Sequence, residues 1–301
     1  LEESSSMIEP TIRHLETSDG YRHHLVTWSP ALTPHALCVI LHGVQSHAGW
    51  YHQLGRTLAD ARIEAHFPDR RGSGSNQSDR GHCPSSRRLI EDVLEIIREI
   101  RRSRPTVPMI LAGISWGGKL VVVSAAKAPE LIDGIALICP GLEPRVGVHF
   151  GERLRIALAY FFRRRAYFPI PLSDPALFTA NPHAQRFIAT DQLGLRTATA
   201  GLLAASTFLD RQAQMAPPRI SQPCLLMLAG QDRIVNNQRT RAYFQRIGSS
   251  DKAIVEYPEA HHTLEFEPDP GRYARDLIDW INTRWSAESI PSTSYGTGHF
   301  P

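Results

Sequence analysis

A chain of 301 residues, 42% hydrophobic and 21% charged, is long enough for one large globular domain or for a core with an insertion, and too ordinary in composition to be fibrous or disordered. The formal charge is +3 and only three of the 33 basic residues are lysines (Lys119, Lys127 and Lys252); no dense basic face with interleaved aromatics stands out, so no nucleic-acid partner is expected. No apolar run approaches the roughly 18 residues that span a bilayer, and the four cysteines (Cys38, Cys83, Cys139, Cys224) have no C-x-x-C or Cys/His ligand spacing, so neither a disulfide framework nor a metal site is expected.

Residues 1–6, ahead of Met7, read as a vector-derived remnant; no signal peptide is recognisable, which favours a cytoplasmic protein. Residues 11–15 and 21–28 alternate around Asp19-Gly20 and suggest a hairpin. A buried strand over Ala36 to Leu41 leads into His42-Gly43, followed by a helix from Trp50 to Ala61. The next strand, Ile63 to Phe67, ends in Asp69-Arg70-Arg71-Gly72-Ser73-Gly74, a tight structural turn; lacking a G-K-[ST] ending, it is no phosphate loop. Ser86 to Ser103 is the clearest amphipathic helix, with Leu89, Val93, Ile97 and Ile100 on one face. Strands follow over Val107–Gly113, Ile135–Cys139, Cys224–Ala229 and Ala253–Tyr257, and a last amphipathic helix over Arg272–Trp285. Strands alternating with helices imply an α/β fold with a mostly parallel sheet and helices on both faces.

Residues 142–216 break this rhythm: no strong strand run appears, and helices are expected over Arg153–Phe168 and Leu193–Gln214 with prolines between them. The reading is therefore a core made of 7–141 and 217–285, an inserted helical cap at 142–216 beyond the carboxyl ends of the strands, and a flexible tail at 286–301. The run Arg163-Arg164-Arg165 beside Phe161, Phe162, Tyr167 and Phe168 could touch an anionic membrane surface, or could be one solvated face of a cap helix.

The chemistry is carried by Gly113-Ile114-Ser115-Trp116-Gly117, a G-x-S-x-G motif between a strand and a helix. That context makes a nucleophile elbow: serine at the apex of a strained turn, with glycines where side chains would strike the neighbouring strand or helix. A serine hydroxyl needs a base and a carboxylate behind it. Asp232, directly behind the Cys224–Ala229 strand, is the candidate acid; His261 or His262, behind the next strand, is the candidate base. Oxyanion donors are expected from the N–H groups of Trp116 and Val44, with Gly43 allowing close backbone approach and His42 orienting the loop. Gly43, His47 and Trp50 are candidate substrate-binding residues, with His47 and Trp50 either lining the mouth of the site or simply packing. Lys119, four residues after Ser115, does not complete an S-x-x-K pair.

These motifs resemble those of the monoacylglycerol lipase and lysophospholipase group of α/β-hydrolases, also described as serine aminopeptidase-like. His42-Gly43-Val44-Gln45-Ser46-His47-Ala48-Gly49-Trp50-Tyr51 is similar to the group's H-G-x-x-x-H-x-x-x-Y loop, Asp69 to Gly74 to its D-x-R-G-x-G turn, and Gly230 to Val235 to its acid loop. His262-Thr263-Leu264-Glu265-Phe266-Glu267 resembles its H-x-L-x-x-E stretch, which implies His262 as the base. The resemblance implies a cofactor-free serine hydrolase acting on a small acyl ester, with monoacylglycerol or lysolipid as candidate substrates. Trp116 departs from the methionine common in the group and implies a reshaped acyl pocket; no acidic cluster in the cap offers itself to a substrate's amino terminus. A thioesterase acting on a specialised metabolite is the rival enzyme, and a binding protein with a retired site the rival non-enzyme.

Overall fold

The computed structural model describes residues 8–286; the expected remnant at 1–6 and all of the expected tail beyond Ser286 lie outside the described residues. In chain order the elements are β1 (Thr11–Glu16), β2 (Arg22–Trp28), β3 (Ala36–Leu41), α1 (His52–Asp60), β4 (Ile63–Pro68), α2 (Ser86–Ser103), β5 (Met109–Ile114), α3 (Gly117–Lys127) and β6 (Gly134–Ile138). They continue with α4 (Phe150–Phe162), β7 (Tyr167–Pro169), α5 (Pro182–Thr190), β8 (Thr197–Thr199), α6 (Ala200–Met215), β9 (Cys224–Ala229), α7 (Asn237–Gln245), β10 (Lys252–Tyr257) and α8 (Pro270–Trp285).

Eight strands form one sheet in the order β1-β2-β4-β3-β5-β6-β9-β10. The β1-β2 and β2-β4 pairs are antiparallel, and every later pair is parallel. The sheet separates two apolar layers by simple alternation. Leu37, Val39 and Leu41 of β3 face the layer formed by α2, α3 and α7, while Ala36, Cys38 and Ile40 face the layer formed by α1 and α8. Strands β3, β4, β5, β6 and β9 are buried along their whole length, as strands covered on both faces must be. This is the α/β-hydrolase fold.

Segment 142–216, between β6 and β9, departs from the sequence reading in three places. Helix α4 ends at Phe162 rather than Phe168, because residues before Pro169 go extended as β7 and pair with β8. The second expected helix begins at Ala200 rather than Leu193; the Thr199 side chain accepts from the Leu202 N–H and starts α6 there. Pro182, read as loop punctuation, instead opens α5: Asn181 caps the His183 and Ala184 N–H groups, and proline at the first helical position sacrifices no intrahelical bond. Outside the segment, α7 also escaped the sequence reading, since only Thr240, Tyr243 and Phe244 are buried in an otherwise polar helix.

The turn from β5 into α3 is a tight crossing in the core. A Cβ at Gly117 would collide with the Leu41 carbonyl of β3, and one at Gly113 would lie 2.8 Å from the Gly117 backbone. Gly117→Ala is expected to lower the unfolding free energy by about 3 kcal/mol, read by urea denaturation, because the obstacle is backbone that cannot yield. A loss under about 0.5 kcal/mol would show that β3 and α3 are less closely apposed.

Candidate active site

Ser115 sits at that turn with φ +52, in the left-handed region that a β-substituted residue enters only under constraint. Its backbone is pinned on both sides: the N–H donates to Ile138 O at 2.9 Å, and the carbonyl accepts from Gly118 N at 2.9 Å and Gly141 N at 2.7 Å. The side chain is thereby thrown outward at the carboxyl end of the sheet.

Two loops at the same end deliver its partners. Ser115 Oγ donates to His262 Nε2 at 2.8 Å, and His262 Nδ1 donates to Asp232 Oδ2 at 2.7 Å. The other Asp232 oxygen accepts from the N–H groups of Ile234 and Val235, both at 2.8 Å, which leaves this buried carboxylate one free direction, toward the imidazole. His261 points elsewhere, with its Nδ1 at 3.6 Å from Glu267. The geometry thus separates the two histidines that the strand order alone leaves open.

The loop after β3 approaches the nucleophile closely: a Cβ on Gly43 would stand 3.3 Å from Ser115 Cβ. Among the described residues, neither the Val44 nor the Trp116 N–H donates to a protein acceptor. His42 holds this loop. Its Nε2 accepts from the Arg70 N–H at 2.9 Å, so the proton is on Nδ1, which donates to Gly43 O at 2.7 Å. Burial, reinforced by Arg70, pushes its pKa down to about 4, so the ring is neutral near pH 7. Because Gly43 C=O and Val44 N–H belong to one planar peptide, fixing the carbonyl fixes the direction of the N–H.

Asp69 ties the parts together. Fully buried, it accepts from Ala48 N at 2.8 Å and Ser75 N at 2.7 Å, with His24 at 3.2 Å. Burial alone would raise its carboxyl, but the His24 bond, the nearby His42 and the two N–H groups hold it below the usual range. His47 and Trp50, expected at the mouth of the site, are buried, and their nitrogens donate to Asp191 Oδ2 at 3.1 and 2.8 Å. They fasten segment 142–216 to the loop. Two further fasteners reach the elbow: the Trp116 indole, which donates to Ser206 at 2.9 Å, and Lys119, which pairs with Asp210. Nothing in the sequence marked Asp191, Ser206 or Asp210 as partners, since all three contacts span distant parts of the chain. Among the described residues no group of three or more His, Cys, Asp or Glu is placed to hold a metal.

The family model described as "Serine aminopeptidase, S33" (Hydrolase_4) matches residues 33–269. The chain belongs to this family. It is similar to monoacylglycerol lipase of Mycolicibacterium smegmatis, at 24% identity over 87% of this chain and 93% of that protein, and to monoglyceride lipase of Mus musculus, at 27% over 91% of each. Among solved structures it is similar to monoacylglycerol lipase of Paleococcus ferrophilus, with a TM-score of 0.77 and 24% identity over 87% of this chain and 98% of that one. A soluble variant of monoglyceride lipase from Saccharomyces cerevisiae, in complex with a substrate analog, also has a TM-score of 0.77, at 18% identity over 91% of this chain and 95% of that one. These likenesses agree with the fold and with the resemblance carried by the motifs.

Three residues beyond His262, Glu265 accepts from Gln53 N at 2.9 Å and Leu54 N at 3.3 Å at the start of α1, and from the Tyr273 hydroxyl. Burial nevertheless pushes its carboxyl up to about 7, from 4.5 in an unfolded chain. The folded state therefore holds a proton that the unfolded state releases. The associated stability is complete below pH 4.5 and is lost as pH rises through about 7. Glu265→Gln is expected to remove this dependence, gaining on the order of 2–3 kcal/mol on wild type between about pH 5 and 8 in denaturation profiles. Parallel profiles would show that Glu265 titrates alike in both states.

Proposed function

We propose that the protein is a serine carboxylester hydrolase with Ser115 as nucleophile, His262 as general base and acid, and Asp232 as the orienting carboxylate. The observation that carries this reading is the continuous chain from Ser115 Oγ through His262 to Asp232, at 2.8 and 2.7 Å, on a serine held at positive φ. His262 takes the hydroxyl proton as Ser115 attacks the ester carbonyl, and the N–H groups of Val44 and Trp116 hold the oxyanion. The proton passes to the leaving alcohol, and an acyl-enzyme remains on Ser115. Water, deprotonated by the same imidazole, adds to the acyl carbon and releases the acid. Asp232 keeps the proton of the resting imidazole on Nδ1 and stabilises the imidazolium. These steps use protein groups and water, and no cofactor is assigned.

Monoacylglycerols and lysolipids are the proposed substrate class. Support comes from the mycobacterial and mouse relatives named as monoacylglycerol or monoglyceride lipases, and from the loop motifs shared with that group. Aminopeptidase activity draws less support. Four of the five acidic residues in the proposed cap, 142–216, are committed: Asp191 to His47 and Trp50, Asp210 to Lys119, Glu143 to Gln214 and Asp174 to the Ala176 N–H. A charged amine would find no prepared partner among them.

The cap is also proposed to touch an anionic lipid surface. Helix α4 buries none of its residues, and Phe150, Phe161 and Phe162 are 84%, 76% and 82% exposed, with Leu154 and Leu158 in the same row. The exposed Arg163 and Arg164 follow directly and supply complementary charge, while Arg165 pairs with Asp79. Among the described residues no helix is long and apolar enough to cross a membrane.

Hydrolysis of a chain-length series of monoacylglycerols is expected to peak at medium or long chains and to fall at least ~10⁴-fold in Ser115→Ala; turnover only of acetyl or thioester substrates would overturn the lipid assignment. Phosphatidylglycerol vesicles should sediment the protein, phosphatidylcholine vesicles much less. Replacing both Phe161 and Phe162 by Glu should abolish that sedimentation while sparing turnover of a soluble short-chain ester; undiminished sedimentation would remove α4 from the contact.

A further inference from the structure

The turn after β4 carries two adjacent arginines with opposite fates. Arg71 is neutralised: its Nε and Nη2 donate to Asp92, each at 2.8 Å, and Nη2 also reaches Asp19. Arg70 is not. It is 8% exposed, and its side-chain hydrogen bonds go to carbonyls, from Nη2 to Val44 O at 3.0 Å and from Nη1 to Arg71 O at 3.3 Å. Its Nε is buried without a partner, and no carboxylate pairs with it among the described residues. The neighbouring Asp69 carboxylate is occupied by Ala48, Ser75 and His24 instead.

Three contacts of Arg70 meet parts of the proposed oxyanion site, while its carbonyl stays within the turn, accepting from Ser73 and Asn76. The guanidinium lies 4.9 Å from the centroid of the Trp116 ring, whose residue supplies one N–H donor. Its Nη2 holds the carbonyl of Val44, the residue that supplies the other. Its backbone N–H holds His42, which in turn holds Gly43 O. The two peptides that flank Val44 are therefore both fixed through Arg70, one by its side chain and one by its main chain through His42.

Resting on the nucleophile reading above, we infer that Arg70 is a positioning residue for the reaction: its side chain fixes the carbonyl of Val44, braces Trp116, and keeps behind the two oxyanion donors a guanidinium that no carboxylate among the described residues hydrogen-bonds, its charge softened by the neighbouring Asp69. Burial lowers the Arg70 pKa to about 10, which still leaves it protonated near neutrality. A charge fixed in a poorly solvated position acts on an anion that forms nearby without reorganising as the anion forms. The ester ground state carries no such anion, so the benefit falls on the transition state, and kcat rather than KM should register it. Arginine suits the task where lysine would not. Its planar fork can bond a carbonyl and lie against an indole together, whereas an ammonium is a compact, strongly hydrated point charge.

The test measures kcat and KM for a soluble butyrate ester, and the second-order rate constant for labelling by a fluorophosphonate. The rate constant, unlike the labelled fraction, does not depend on how much of a preparation is folded. Arg70→Met is expected to lower kcat and the labelling rate constant together by roughly 10–100-fold, below the loss from deleting a direct donor, with KM within about 3-fold. Arg70→Lys, which keeps the charge but loses the fork, should fall by roughly 3–10-fold. Wild-type rate constants in Arg70→Met, or a loss confined to KM or to the labelled fraction, would overturn the inference. If Arg70→Met does not fold, Arg70→Lys decides: a rate constant equal to wild type overturns the inference, and the stated fall in kcat at constant KM supports it. A wild-type protein that the fluorophosphonate leaves unlabelled would overturn the nucleophile reading and this inference with it, whereas wild-type labelling matched by both variants would overturn this inference alone.

Discussion

Everything at the carboxyl end of the sheet depends on holding Ser115 at positive φ. That conformation costs of order 1–3 kcal/mol for a residue with a side chain, and the surroundings hold it in place. Both backbone groups of Ser115 are hydrogen-bonded, to Ile138, Gly118 and Gly141. The elbow closes only because Gly113 and Gly117 let backbone meet backbone. Once it is closed, Oγ projects beyond the strands, α3 begins two residues later, and His262 has a fixed target at 2.8 Å. Strain at one residue is thus converted into position for three.

A second constraint organises the loops around that point. The turn after β4 is built on a buried, ionised Asp69 that gathers Ala48 from the loop after β3, Ser75 from its own turn and His24 from β2. The neutral His42 ring then passes the order on to the Gly43–Val44 peptide. Segment 142–216 joins the same framework through Asp191 on one side, and through the Ser206–Trp116 and Asp210–Lys119 contacts on the other. Two of these fasteners lie on α6, one turn apart, so α6 is anchored to the elbow helix, while α4 packs on α6 and leaves its own apolar side chains to solvent.

Much of this was legible in the sequence wherever function or burial leaves a local signature. The core strands are continuous apolar runs, α2 repeats Leu89, Val93 and Ile97 at helical spacing, and the elbow has two glycines at fixed offsets from Ser115. The expected acid and base follow strands β9 and β10 because sheet enzymes gather functional groups at strand ends. Where signals are tertiary, the sequence was silent or misleading. Helix α5 rests on an asparagine cap and two buried residues, too little periodicity to register, and α7 is held by three buried side chains in a polar helix. Residues 163–168 look helical by composition, but residues 163–166 close a turn and Tyr167 and Phe168 pair with β8. The partner of His47 and Trp50, Asp191, lies 141 or more residues away along the chain and has no local signature. Arg70 and Arg71 are indistinguishable as letters; their difference is that one meets carboxylates and the other meets carbonyls.

The most direct measurement is acid-quenched mass spectrometry of the protein mixed with a monoacylglycerol, followed by peptide mapping. A transient mass increase equal to the acyl group, located on the peptide that contains Ser115 and absent in Ser115→Ala, is the expected result. Sustained turnover with no acyl adduct, or with the adduct on another residue, would contradict the assignment of Ser115 as the nucleophile.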